Sequence, residues 1–275
     1  MQAKKFDTII KNALKEDIKK GDLTALAIFS KHEQCHAHLI AKQDGVMAGL
    51  KVFKRTFKIL DKNTHVKLFG KDGEKCQNGE VIAKISGSVI NVLGAERVAL
   101  NLLQRMSGIA TYTHQFVQLC QGRCQVLDTR KTAPNLRVLD KWAVRLGGGV
   151  NHRTGLYDMA LIKENHIFAA GGISQAVAKV LAYDKHQHKI EVEVTNLEEL
   201  KQALDCNIDR IMLDNMDNAT MREAVKITAG KIDLEASGNV NLSTISEISK
   251  TGVNYISIGA LTHSVKAMDY SLLIK

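Results

Sequence analysis

From Val126 onward the chain keeps one rhythm, and that rhythm restricts its fold more than any other feature. Short β-type apolar runs at 126–128, 159–163, 189–194, 210–214, 232–236 and 254–258 alternate with helical patterns. The helical stripes are Ile173, Val177, Val180 and Leu181; Leu197, Leu200 and Leu204; Met221, Ala224, Val225 and Thr228; and Leu242, Ile245 and Ile248. Strands joined by helices of this kind pair in parallel, because the crossover returns the chain to the same end of the sheet. Six such units fit either a (β/α) barrel or a doubly wound sheet. A G-x-G-x-x-G after the first strand would favour the doubly wound sheet, and it is missing.

The first hundred or so residues follow a different pattern. Phe6, Ile9, Ile10, Ala13 and Leu14 mark an amphipathic helix, and Gly21 to Thr24 reads as a turn. Cys35, Ala37 and Leu39 alternate as a strand, Leu50, Phe53, Phe57 and Leu60 recur as a helix, and Val66 and Leu68 begin another strand. Asn78-Gly79 then turns into Val81, Ala83 and Ile85. This is an α+β pattern with antiparallel pieces. A buried helix is expected over 89–104, ending near Ser107-Gly108, with a further helix carrying Thr113, Phe116, Val117 and Cys120. The domain boundary is placed at Gly108, with no Pro- or Ser-rich linker.

Charge and composition narrow the function. The net charge is +9 and the pI about 9.2, which raises the possibility of a nucleic-acid binder. The lysines are spread through the chain without an aromatic-interleaved basic patch, so anionic small molecules suit the charge equally well. No apolar run is long enough to span a bilayer, and the N-terminus lacks the apolar core of a secretion signal. Five scattered cysteines without a CxxC pair fit a reducing cytoplasm. His32, Cys35, His36 and His38 are ligand-type residues, but their spacing matches no zinc motif. No G-x-S-x-G elbow, Walker loop or H-E-x-x-H occurs.

The strand ends carry the chemistry. The first run ends on Asp128, then Arg130-Lys131; the second on Lys163; the third holds Glu191 and Glu193. Asp214-Asn215 ends the fourth, Glu235 and Ser237-Gly238 the fifth, and Gly259 the sixth. In a parallel barrel these points meet on one face, where barrel enzymes keep their active sites. Between the first two runs, Leu136, Leu139, Ala143 and Leu146 form a short amphipathic helix. Gly147, Gly148 and Gly149 stop it and let backbone pass close to another group. Arg130, Lys131, His152, Arg153, Lys163 and His166 fall around it on loops and strand ends, where guanidinium forks suit carboxylates and phosphates. Ser237-Gly238-Asn239 and Gly259-Ala260 precede helices and suit a phosphate. Glu193 and Asp214 could hold ribose hydroxyls, or magnesium directly or through water.

Several segments together resemble the quinolinate phosphoribosyltransferase family. They are DTRKT at 128–132, GGGxNHRxGL at 147–156, LIKENH at 161–166, EVEV at 191–194, MLDN at 212–215, EASGN at 235–239 and ISIGALTHS at 256–264. GDLT near the start and LLQRMSGIAT at 102–111 match as well. Departures are Ala133 and Asn135 around Pro134, and Trp142 where tyrosine is common. The resemblance implies an α/β fold of two parts: an N-terminal α+β sandwich over 1–108, to which 266–275 returns, and an incomplete (β/α) barrel of six to seven parallel strands over 109–265. It also implies a homodimer with a shared active site, hexameric in some members. The reaction implied joins quinolinate to phosphoribosyl pyrophosphate with magnesium, and releases pyrophosphate and carbon dioxide. By the same resemblance, Lys131, Lys163, Glu193 and Asp214 carry the chemistry. Thr129, Arg130, His152, Arg153, Ser237, Gly238, Asn239, Gly259 and Ala260 bind substrate, joined by Arg105 from the partner subunit. Glu193 and Asp214 hold magnesium. The rival readings are a paralogue on this scaffold linked to molybdate uptake, a sugar-phosphate isomerase barrel, and a nucleic-acid binder.

Overall fold

The structure is a computed structural model that describes residues 3–275, with side chains from Phe6 onward. It divides into two compact units: one takes in residues up to 114 with 132–148 and 262–275, the other 115–131 and 149–261. In chain order, α1 (Ala3–Ile18) and α2 (Leu23–Ile28) precede β1 (Gln34–Ala41), β2 (Gly45–Val46), α3 (Leu50–Leu60), β3 (His65–Leu68), β4 (Lys75–Cys76), β5 (Val81–Ser88) and α4 (Val89–Cys120). Then come β6 (Gln125–Leu127), α5 (Arg137–Leu146), β7 (Ala160–Ile162), α6 (Glu164–Ala170), α7 (Ile173–Asp184), β8 (Ile190–Val194) and α8 (Leu197–Leu204). The chain ends with β9 (Arg210–Asp214), α9 (Asn218–Thr228), β10 (Asp233–Ser237), α10 (Ile245–Ser249), β11 (Tyr255–Ser257), α11 (Ala260–His263) and β12 (Tyr270–Ile274).

The first unit is built on an antiparallel sheet in the order β12-β1-β5-β3, so the final strand of the chain pairs with the first. Alternation along β1 buries Cys35, Ala37, Leu39 and Ala41 and turns His36 and His38 to the other face. The buried face joins one core with Phe53 and Phe57 of α3, whose rings meet edge to face at 5.0 Å. Burying each ring contributes about 1.5–3 kcal/mol. Gly21 to Thr24 is not a free turn: Asp22 caps α2, its carboxylate accepting the N–H groups of Thr24 and Ala25 at 3.0 Å each.

The expected break at Ser107-Gly108 does not occur. Helix α4 runs unbroken through both residues for 32 residues. Gly108 serves close approach instead of termination, since a Cβ there would lie 2.2 Å from the carbonyl oxygen of Lys266. Ser107 is buried and bridges to Ala48, accepting its N–H at 3.0 Å and donating to its carbonyl at 3.1 Å. Gly147 does end α5, and a Cβ on it would lie 2.3 Å from the Ala110 carbonyl.

The second unit carries a parallel sheet in the order β6-β11-β10-β9-β8-β7. Its first strand in sequence pairs with its last, as happens when a sheet closes toward a ring. Val150 adds a single parallel bridge on the free side of β6, to Leu127. The ring is therefore a barrel of six strands plus one residue of a seventh, open between Val150 and β7. That one-residue rung is the seventh strand that no run of apolar residues announces. The expected strands appear, trimmed or shifted by a residue or two at most ends.

Register sorts the side chains. Ile190, Val192 and Val194 of β8, Ile211 and Leu213 of β9, and Leu234 and Ala236 of β10 share one face and are buried. On the other face, Glu191 lies level with Arg210, Glu193 with Met212 and Glu235, and Asp214 with Ser237. The polar half of each strand thus points into the barrel and toward its C-terminal rim.

Candidate active site

The second unit gathers the expected site residues at the C-terminal ends of its strands. Lys163 follows β7 directly, and Glu193 is the fourth residue of β8. Lys163 Nζ donates to Glu193 Oε2 at 2.6 Å, with the glutamate side chain 13% exposed. The main-chain N–H of Lys163 donates to His166 Nδ1 at 3.0 Å, so His166 caps α6 and fixes the direction in which Lys163 leaves the sheet. Asp214 ends β9 and accepts from Asn215 Nδ2 at 2.8 Å.

Two loops frame this pair. After β6, the Thr129 hydroxyl accepts the N–H of Lys131 at 3.1 Å, turning Arg130 and Lys131 out of the strand. Asp128, fully buried, accepts the N–H of His152 at 2.9 Å and an Nδ2 hydrogen of Asn151 at 2.6 Å. Asp158 holds the same loop from the other end, accepting the N–H groups of Thr154 at 2.7 Å and Gly155 at 2.9 Å. Burial alone would raise the Asp158 pKa; those N–H groups outweigh it and keep the carboxyl below its usual value. Arg153 donates to the Met159 carbonyl at 3.2 Å. Burial, and then the like charge of Arg130, depress the Arg153 pKa. Two guanidinium groups held this near one another favour an anion with two negative centres.

His152 is oriented from inside the barrel. Its Nε2 lies 2.9 Å from Glu191 Oε2 and 3.4 Å from Glu235 Oε2, and Arg210 Nη1 is 3.1 Å from the same oxygen of Glu235. All three acid and imidazole side chains are at most 5% exposed. Burial alone would depress the imidazole pKa, but the two carboxylates outweigh it and push it up to about 9. The N–H of Arg153 lies 2.7 Å from Nδ1 and opposes this by asking that nitrogen to accept. Two carboxylates are the stronger influence in so enclosed a place. Both glutamates stand among the expected strand-end residues but with no role assigned to them, and Arg210 is not among the expected site residues. Their signal was available: charged residues at alternate positions inside β-type runs are rarely buried unless partnered.

The turn after β10 also departs from expectation. Gly238 has φ 100°, and a Cβ there would lie 2.1 Å from Asn215 Oδ1. Asn239 Nδ2 donates to that same oxygen at 3.1 Å, and the Asn215 N–H donates to the Ser237 carbonyl at 2.9 Å. Ser237, Gly238 and Asn239 therefore wrap Asn215, and the following helix begins only at Ile245. Gly259 and Ala260 do open a helix, the four-residue α11. Arg105 belongs to the first unit, where Nε and Nη2 donate to the two oxygens of Asp140 at 2.8 Å each and Nη2 to the Thr262 carbonyl at 3.2 Å.

Two groupings offer metal-ligand chemistry. Glu193 and Asp214 stand on adjoining strands with oxygen donors at the rim, a set that suits a hard, partly hydrated cation such as magnesium. His152, Glu191 and Glu235 also bring their ligand atoms within 4.8 Å of one another. That second cluster is sealed, and Arg210 and the His152 imidazolium together balance its two carboxylates, so it fits a held imidazolium better than an ion that keeps several waters.

Comparison with known proteins covers nearly all of the chain. Residues 22–107 match the model of the quinolinate phosphoribosyl transferase N-terminal domain, and 109–273 that of its C-terminal domain. The chain is 46% identical over 258 residues to a probable nicotinate-nucleotide pyrophosphorylase [carboxylating] of Bacillus subtilis, covering 94% of this chain and 89% of that protein. It is 45% identical over 285 residues to the chloroplastic nicotinate-nucleotide pyrophosphorylase [carboxylating] of Arabidopsis thaliana, covering 97% and 82%. The crystal structure of NadC from Streptococcus pyogenes superposes with a TM-score of 0.95 at 42% identity, covering 98% of this chain and 96% of that one.

Proposed function

Because the chain belongs to the quinolinate phosphoribosyl transferase family, we propose a division of labour among its residues for that family's reaction. The enzyme transfers phosphoribosyl from phosphoribosyl pyrophosphate to quinolinate with decarboxylation, a step of NAD biosynthesis that yields nicotinate mononucleotide, pyrophosphate and carbon dioxide. Quinolinate brings two adjacent carboxylates, and Arg130 and Arg153, with His152 beside them, form the cationic seat for it. Arg105 of a second subunit completes that seat in a homodimer whose active site is shared. Lys131 and Lys163 face the departing diphosphate. Glu193 and Asp214 hold the ribose hydroxyls and would also hold magnesium, which would supply charge stabilisation to the departing diphosphate. Ser237, Gly238, Asn239, Gly259 and Ala260 line the path of the 5′-phosphate.

As the C1–oxygen bond to diphosphate breaks, C1 gains positive character, which the nearby carboxylate of Glu193 stabilises. The pyridine nitrogen supplies the pair for the new C1–N bond. The alkylated ring then accepts the electrons released when the adjacent C–carboxylate bond breaks, carbon dioxide leaves, and a proton replaces it on carbon. No protein nucleophile is required; positioning and charge do the catalysis.

What supports this reading is the Lys163–Glu193 contact at 2.6 Å, a cation and an anion from adjoining strand ends presented together at the rim. The test follows quinolinate consumption with and without phosphoribosyl pyrophosphate and magnesium. Turnover that needs both supports the assignment; turnover without magnesium removes the metal from it. Among the described residues no helix is long and apolar enough to cross a membrane. All five cysteines are free thiols, which suits work in the cytoplasm.

A further inference from the structure

The histidine-rich stretch at 32–38 finds no use in the barrel chemistry, and its neighbours across the sheet give it another. The register sets His36 beside Ser86 and Ser86 beside His65; one step along, His38 lies beside Lys84 and Lys84 beside Lys67. These six side chains line a concave space of about 350 Å³ on the face of the sheet opposite the core of the first unit. Strands lie ~4.8 Å apart and next-but-one residues ~6.8 Å apart, so the field measures roughly 10 by 7 Å. Every ionisable group on it is a base.

That arrangement is costly for folding alone. Like charges directly opposite on neighbouring strands are destabilising, and here Lys67 faces Lys84, which in turn faces His38. Slight desolvation, then the charges of Lys275, Lys84 and His36, hold the His38 pKa below its usual value. Elsewhere the chain matches surface lysines with glutamates, as in Lys201–Glu198 and Lys250–Glu247. Among the described residues no carboxylate lies within ion-pair distance of Lys67 or Lys84; both ammonium groups rest over the Phe69 ring, at 5.4 and 6.0 Å from its centre. A lysine on an exposed edge strand can serve simply to block aggregation. That accounts for Lys67 on β3 but not for Lys84 and His38, which stand on interior strands.

We propose that this sheet face is a binding site for a short polyphosphate-type anion, held by Lys67 and Lys84 with His36, His38, His65 and the Ser86 hydroxyl. Lysine offers a compact charge to phosphate oxygens, and the imidazoles and hydroxyl supply directed donors. The ligand class is a chain of two or more phosphates, because the bases are distributed over a strip and not focused on a point.

Calorimetric titration of the full chain with inorganic triphosphate tests it, alongside NMR of the histidine rings. The wild type should take up triphosphate at two classes of site, one in the barrel and one here, with shifts of the His36, His38 and His65 ring signals. Lys67→Gln/Lys84→Gln should weaken the second class at least tenfold and leave quinolinate turnover unchanged. The substitution removes facing like charges, so loss of folding is not expected; an unchanged melting curve checks that. Identical isotherms for wild type and variant, or ring signals that do not move, would overturn the proposal. Loss of solubility with triphosphate binding intact would overturn it too, since the lysines would then be edge protection alone.

Discussion

Glu191 and Glu235 occupy sheet positions where hydrocarbon is the rule, and the surroundings show why they are tolerated. Arg210 and His152 bring two bases to two acids within 2.9 to 3.4 Å. Because the folded imidazole pKa is raised to about 9 from the ordinary 6.5, its contribution to stability is complete below about pH 6.5 and is lost as pH rises through 9. Denaturant unfolding at pH 6, 7.5 and 9 should show the wild type losing on the order of 1–3 kcal/mol over that span. His152→Asn should be less stable at pH 6 and nearly flat across it. A wild-type curve as flat as the variant's would mean that the imidazole is not charged. Lys163 is a different case. It is 46% exposed, so its ion pair with Glu193 contributes at most about 1 kcal/mol to folding. Lys163→Ala should therefore cut kcat by roughly a hundredfold or more while the melting temperature stays within a few degrees. The alternation in 189–194 announced that Glu191 and Glu193 share a face, and strand-end logic found Lys163. It did not reveal that Glu191 turns inward to a histidine from a distant loop, because periodicity specifies a face and not a partner.

At the scale of elements, the strands and helices of the second unit were legible wherever apolar side chains recur. The long helix α4 was misread at Ser107-Gly108, since glycine has two uses that look alike in sequence. It ends helices, and it also makes room where two backbones meet. Here Lys266 sits against it, from a segment 158 positions downstream. Gly108→Ala should cost about 1–3 kcal/mol through that backbone clash, a loss readable by denaturant titration. Were glycine present only to weaken the helix, alanine would stabilise instead. The wrapping of Asn215 by the Ser237–Asn239 turn was equally hidden, as it depends on side chains from two successive βα loops.

For the whole molecule, the sequence announced two parts, and the paired first and last strands of the sandwich show that one of them is completed only by the final residues of the chain. The proposed sharing of the active site belongs to this scale as well. Arg105→Ala and Lys131→Ala subunits, each inactive alone, should recover roughly a quarter of wild-type turnover when mixed as dimers, because one of the two sites in a mixed dimer is then intact and half of randomly formed dimers are mixed. No recovery in verified mixed dimers would count against a site shared between subunits and leave Arg105 acting within its own subunit, where it pairs with Asp140.

The barrel's missing rung has its own consequence. Among the described residues only Val150 continues past β6, with hydrogen bonds to Val126 and Asp128, and the loop that follows is tied by Asp128 and Asp158 side chains. A complete seventh strand would lock Asn151, His152 and Arg153 into a ladder on both sides. Left as a seam, the wall ties the segment proposed to face quinolinate by carboxylate tethers, so that segment should shift as a patch while the six neighbouring strands stay paired. Amide exchange should then be fastest at this seam, and the arrival of a dianion should slow it there before anywhere else in the barrel.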